Sequence, residues 1–181
     1  MRFLRRGGDP HAFALAMIGL KMGDRLLQLG AGDGALLAAL GGKVGLTGRA
    51  CGVDESDEGV ARAKLAADRE GVLLELQRAS YEALPFDDGA FDVAIVNAVL
   101  PDVAPEARVT IVAQVARLLR SGGRCIVVDA VPRGGLGALL GGPKPDPAYR
   151  PADLPRAAGF KAVRSLAERD GVRYVEGIIS R

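Results

Sequence analysis

The stretch Leu26-Leu27-Gln28-Leu29-Gly30-Ala31-Gly32-Asp33-Gly34 decides how this chain folds. It reads as a short buried strand, a turn with glycine at alternate positions, and a helix starting at Ala35-Leu36-Leu37. Without a Cβ, the backbone can turn tightly there and approach a ligand closely. The helix that follows turns unpaired N–H groups and a positive dipole end toward whatever lies above the turn. Alone, such a turn serves equally well as a plain strand-to-helix connection. The next apolar run, Ala50-Cys51-Gly52-Val53-Asp54, sharpens the reading because it ends in a carboxylate. About 20 residues past the last glycine is where a ribose-binding acid sits in nucleotide-binding βαβ units.

Outward from this unit, apolar runs alternate with helical patterns. Strands are expected at Arg25–Leu29, Ala50–Asp54, Val72–Gln77, Asp92–Asn97 and Arg124–Asp129, with helices around 34–42, 57–70 and 105–120. Ser56 caps the second helix, Asp57 and Glu58 suit its first turn, and Gly71 ends it. Pro105 and Glu106 open the third, which stops before Ser121-Gly122-Gly123. This alternation predicts a parallel sheet covered on both faces. Val93-Ala94-Ile95-Val96 and Cys125-Ile126-Val127-Val128 are uninterrupted apolar runs, as central parallel strands require. Leu74-Glu75-Leu76-Gln77 alternates and is expected at an edge.

The chain is read as one domain over residues 1–181. Residues 1–23 supply a docking helix, opened by Asp9-Pro10 and closed by Lys21-Met22-Gly23. Its apolar run follows a basic start, but no small-residue cleavage site precedes the first strand, so it is not read as a signal peptide. Residues 24–131 form the core, and 132–151 a Gly/Pro-rich loop of the length that often serves as a lid. Residues 152–181 give a short helix near Asp153–Ala158 and a hairpin, Lys161–Glu168 and Val172–Ile179, turned by Asp170-Gly171.

Composition narrows the function. With 181 residues the chain buries roughly 70% of its unfolded surface, enough for one sizeable core. A net charge of +2 argues against a dedicated nucleic-acid surface, and 4% aromatics without Trp argues against a base-stacking platform. Cys51 and Cys125 fall inside apolar strands with no metal-ligand spacing, which fits a reducing, cytoplasmic setting. No transmembrane run is present.

Five parallel strands, a closing antiparallel hairpin, a glycine-rich first turn and an acidic second-strand tip together resemble the class I S-adenosylmethionine-dependent methyltransferases. The likeness is greatest to the small-molecule branch that includes the ubiquinone/menaquinone-biosynthesis type. Besides the glycine loop and Gly52-Val53-Asp54, Glu82-Ala83-Leu84-Pro85-Phe86 with Phe91-Asp92 is similar to the family's stretch before the fourth strand. Leu118-Leu119-Arg120-Ser121-Gly122-Gly123 is similar to its lead-in to the fifth, and Ala158-Gly159-Phe160 to its lead-in to the sixth. The resemblance runs from about Gly19 to Ile179. It implies an α/β, Rossmann-like, doubly wound sheet of seven strands in the order 3-2-1-4-5-7-6, the last strand antiparallel.

The resemblance also implies S-adenosyl-L-methionine as cofactor, S-adenosyl-L-homocysteine as product, and a small-molecule methyl acceptor; a homo-oligomer is possible. Gly30, Ala31, Gly32 and Gly34 would form the cofactor loop, and Asp54 with Glu55 the ribose end. Ser80 and Tyr81 would lie at the adenine, with Leu84 in its wall, and Asn97 at the mouth where the methyl group emerges. A catalytic dyad is not required, since methyl transfer from a sulfonium depends mainly on in-line placement.

The sequence departs from the family in three places. Gln28 replaces an acid associated with the cofactor's amino-acid end, and Ser80 stands where Asp often meets the adenine amino group. After the fourth strand, Pro101 and Asp102 replace histidines of an Asn-x-x-Leu-His-His pattern. His11, the only histidine, is read as a surface or cap residue. These departures keep a second reading open, a non-catalytic domain acting as cofactor sensor or partner subunit. A nicotinamide-dependent oxidoreductase fits less well: the loop lacks the wider G-x-G-x-x-G spacing, and no Tyr-x-x-x-Lys helix is found.

Overall fold

A computed structural model describes residues 11–131, 146 and 148–180. Seven strands form one sheet in the order β3-β2-β1-β4-β5-β7-β6. They are β1 (Arg25–Leu29), β2 (Arg49–Asp54), β3 (Glu75–Arg78), β4 (Phe91–Asn97), β5 (Leu119–Ala130), β6 (Lys161–Arg169) and β7 (Val172–Ile178). β1, β2, β3, β4 and β5 run parallel, while β7 lies antiparallel between β5 and β6, as expected. The helices are α1 (Ala12–Ile18), α2 (Ala35–Val44), α3 (Asp57–Glu70), α4 (Pro105–Leu118) and α5 (Asp153–Ala157), with a 3₁₀ turn at Leu100–Asp102.

Burial explains the layers. One core, with Ile18, Leu26, Leu37, Leu40, Ile95 and Ile126, lies under α1, α2 and α3. The other, with Leu27, Val53, Phe91, Ile111, Val112 and Val127, lies under α4 and α5. Alternate residues of β5 serve opposite faces, so Cys125, Val127 and Asp129 share the α4 side. Asp92 ties the lower ends of three strands, accepting from the Arg25 N–H and side chain and from Arg120. Burial opposes its charge, but those donors hold the carboxylate down to about 2.

Several boundaries move. The docking helix ends at Ile18, with Gly19 as its left-handed cap, not at Lys21-Met22-Gly23. Arg124 explains the stop: it donates to the Ile18 and Gly19 carbonyls (3.0 and 3.1 Å), which a continuing helix would need. Asp9 and Pro10 lie outside the described residues, and the helix N-cap is His11. β3 is shorter than Val72–Gln77, because its outer edge has no partner strand among the described residues and Leu73 projects into solvent. β5 starts earlier than Arg124: Leu119 pairs with Phe91, and Gly122 N–H bonds Ile179 C=O. Residues 132–145 and 147 of the expected loop lie outside the described residues.

Candidate functional site

The strand order reverses between β1 and β4, the switch point at which doubly wound sheets hold ligands above their carboxyl ends. Gly30 lies on that line with φ +81°, and a Cβ there would meet the Asn97 carbonyl at 2.4 Å and Val99 at 2.8 Å. Only glycine lets the two loops touch. Gly34, φ +83°, caps α2 and would strike the α3 backbone at 2.6 Å. Gly32 and Asp33 form the exposed crest between them, and Asp33 closes the turn by accepting from Ala35 N–H.

Asp54 braces this loop. Its Oδ2 accepts from Ala31 N–H at 2.9 Å, and its Oδ1 from the Ser56 N–H and hydroxyl at 3.0 and 2.7 Å. Burial opposes the charge, yet these donors and nearby Arg62 hold Asp54 below its ordinary value. Three of about four lone-pair positions are taken, so at most one is open to a ligand. Gly59 is part of the brace: a Cβ would land 2.2 Å from the Asp54 carboxyl carbon. Arg62 also donates to the exposed Gly32 carbonyl at 2.7 Å. Sequence reading missed Ser56, Gly59 and Arg62 as parts of the site; Gly59 in the first turn of a helix was the available signal.

Glu55 is placed differently. It is exposed, accepts from Tyr81 N–H at 2.9 Å, and with Arg78, Ala79 and Ser80 lines a shallow depression of about 390 Å³. Ser80 is exposed there, whereas Tyr81 is buried beneath it beside Gly30 and Asp54. Burial and the two carboxylates raise its phenol. Leu84 is a core residue on the α4 side.

Gln28 is completely buried. Its Nε2 donates to the Gly30 carbonyl at 2.9 Å, joined by Asn97 Nδ2 at 3.4 Å, while its Oε1 has no partner among the described residues. The next residue, Ala98, adopts φ +53° and hangs by its N–H from the Val128 carbonyl. Such strain in a non-glycine residue is characteristic of functional loops. Thus Gly30, Ala31, Asp54, Tyr81 and Asn97 converge, with Glu55 and Ser80 on the adjoining depression.

Comparison with known proteins decides the family. A family described as "Methyltransferase domain" matches residues 27–127, from β1 through β5. The chain belongs to that family. Its relatives include the ubiquinone/menaquinone biosynthesis C-methyltransferase of Geobacter sp. strain M21, 27% identical over 65% of this chain and 50% of that protein. An uncharacterized Mycobacterium tuberculosis protein, Rv1403c, is 34% identical over 77% of this chain and 48% of its own length. The chain spans about half the length or less of the curated relatives it matches. A S-adenosylmethionine-dependent methyltransferase from Aquifex aeolicus shares the fold with a TM-score of 0.79, at 20% identity over 94% of both chains. The [4+2]-cyclase SpnF shares it at 0.70, with 18% identity over 93% of this chain and 78% of that one.

The cofactor that this methyltransferase domain implies is S-adenosylmethionine. The residues fit it: a loop closed to any Cβ at Gly30, an exposed crest at Gly32, a polar depression lined by Glu55, Arg78 and Ser80, and a buried amide oxygen on Gln28 without a donor among the described residues. No helix among the described residues is long and apolar enough to cross a membrane.

Proposed function

We propose that this domain transfers a methyl group from S-adenosylmethionine to a small molecule, in the cytoplasm. The observation that carries the reading is the braced loop: Asp54 fixes Ala31 from below while Gly30 rests on Asn97. A loop already fixed by its own hydrogen bonds binds without the cost of ordering it first. S-adenosylmethionine, when bound, supplies an electrophilic methyl group. Gly30, Ala31 and Gly32 let the backbone approach the cofactor, and Gly34 seats the loop on α3. Glu55, which accepts from Tyr81 N–H on one oxygen, offers its other oxygen to the ribose hydroxyls, with Asp54 as the brace of the loop and any remaining lone pair of Asp54 as a secondary contact. Ser80 borders the adenine, Tyr81 supports it from below, and Asn97 holds the mouth. The buried thiols Cys51 and Cys125, which burial raises to about 12, are unreactive and favour a reducing compartment.

One observation favours a second reading. Gln28 leaves a neutral amide where the related family keeps an acid, and a related fold belongs to a cyclase, so a non-catalytic or differently employed domain is the alternative. Calorimetric titration with S-adenosylhomocysteine, followed by product release over an acceptor panel, separates them. Binding with turnover supports the transferase, and binding without turnover supports the alternative. Absence of both heat and thermal shift at millimolar ligand contradicts cofactor binding altogether.

A further inference from the structure

The best-satisfied carboxylates of this protein have several donors each. Asp92 draws on Arg25 and Arg120, and Glu176, 2% exposed, on Arg124 and Arg164. Asp129 at the upper end of β5 is the exception. It is 3% exposed, and among the described residues it accepts only from the Tyr149 hydroxyl, through Oδ2, while its buried Oδ1 has no partner. The groups around it make this conspicuous. Arg108, buried on α4, stacks over the Tyr149 ring at 4.8 Å but directs its N–H groups to the Leu100 and Val103 carbonyls and to Asp146. Arg173 of β7 lies opposite in register, and Asp102 of the 3₁₀ turn adds a like charge. A native protein rarely strands a buried acceptor unless something else completes it.

Position says what completes it. Val128 pairs with Asn97 and holds the strained Ala98, so Asp129 lies one residue beyond the mouth of the site. Ala98 and Ala130 are exposed on either side of it. Val99, Leu100 and Val127, in the core on the same α4 side of the sheet, are apolar. Two guanidinium groups nearby disfavour a cationic amine, and an acceptor-only oxygen requires a donor. We propose that Asp129 Oδ1 is the contact for a neutral hydroxyl on the methyl acceptor, an apolar molecule whose O–H donates to this oxygen beside the Tyr149 hydroxyl.

This assignment rests on the cofactor reading above, but its contact can be measured without turnover. Burial pushes Asp129 up to about 6, against the pull of Tyr149, Arg108 and Arg173 and with the push of Asp102, so at pH 7.5 it is mainly an ionised acceptor. Phenol and anisole, which differ in the donor, are titrated into the full chain by NMR, with and without S-adenosylhomocysteine. Phenol is expected to bind at millimolar concentration and at least tenfold more tightly than anisole. Asp129→Asn turns a donor toward the same spot and is expected to weaken phenol tenfold, leave S-adenosylhomocysteine binding unchanged and raise the melting temperature at pH 7.5. Tyr149→Phe keeps the free acceptor and is expected to retain phenol binding, which covers the case of a poorly folded Asp129→Asn. The assignment is overturned if phenol and anisole behave alike, if neither binds, or if a folded Asp129→Asn binds phenol as the parent does. Failure of the parent to bind S-adenosylhomocysteine, with phenol still preferred over anisole, would count against the cofactor reading alone.

Discussion

Asp54 and Asp129 end parallel strands placed symmetrically in the sheet, each one strand outward from the β1–β4 switch point. Their surroundings are opposite. Asp54 takes three hydrogen bonds from two segments and is held below its ordinary value. Asp129 takes one, leaves an oxygen orphaned and is pushed up to about 6. The β2 half of the switch point, where the cofactor is proposed to bind, is therefore finished by the chain itself. The other half, beneath Tyr149, keeps one carboxylate oxygen without a partner among the described residues.

The strongest way to break the contrast is to spoil the finished half. Gly30→Ala drives a Cβ into the Asn97 carbonyl and imposes a left-handed φ on alanine. Overpacking and the conformational penalty together are expected to cost about 3–4 kcal/mol in urea unfolding, with cofactor binding lost. A cost near zero would mean that the two loops separate freely.

Asp54→Ala leaves the Ala31 and Ser56 N–H groups without their acceptor. A loss of about 2 kcal/mol of stability is expected, with S-adenosylhomocysteine weakened ten- to a hundredfold. Glu55→Gln, by contrast, is expected to weaken the ligand about tenfold and leave stability unchanged. Equal stability losses in both would erase the distinction between brace and contact.

Titration sharpens the contrast through opposite slopes. Asp129 holds a proton more tightly folded than unfolded, so from about pH 4 to 6 its contribution falls as pH rises. Asp54 and Asp92 bind protons more weakly when folded, so their contributions are complete above the ordinary carboxylate range and are lost as pH falls, for Asp92 toward about 2. Asp129→Asn is therefore expected to gain stability over the parent between pH 4 and 6, then hold a plateau of roughly 1–3 kcal/mol. Denaturant midpoints across that range check it. A variant weaker than the parent at every pH would make Asp129 a purely structural residue.

Sequence made the finished half easier to read than the unfinished one. The loop, the acid-tipped β2 and the alternating edge strand all follow from local periodicity and glycine spacing, and the strand order followed from the resemblance. What the acid does was hidden. Asp54 was expected to face the ribose, but whether its oxygens point outward or into the Ala31 and Ser56 N–H groups depends on contacts across 23 residues. Tyr81 similarly turns inward, beside the exposed Ser80. Asp129 reads in sequence as a polar strand end, because its orphaned oxygen results from where Arg108 and Tyr149 direct their donors. α1 stops early at Gly19, a glycine whose left-handed cap was a local signal, and the grip of Arg124 from 105 residues away, which no local signal carries, holds the end in place.

The most direct test of the account is a map of backbone amide shifts as S-adenosylhomocysteine is added to the full chain. The shifts are expected at Gly30, Ala31 and Gly32, at Glu55, at Ala79 and Ser80, and at Asn97 and Ala98, with little change at the lower ends of the strands around Asp92. An absence of shifts at saturating ligand, or shifts confined away from the β1–β4 switch point, would contradict it.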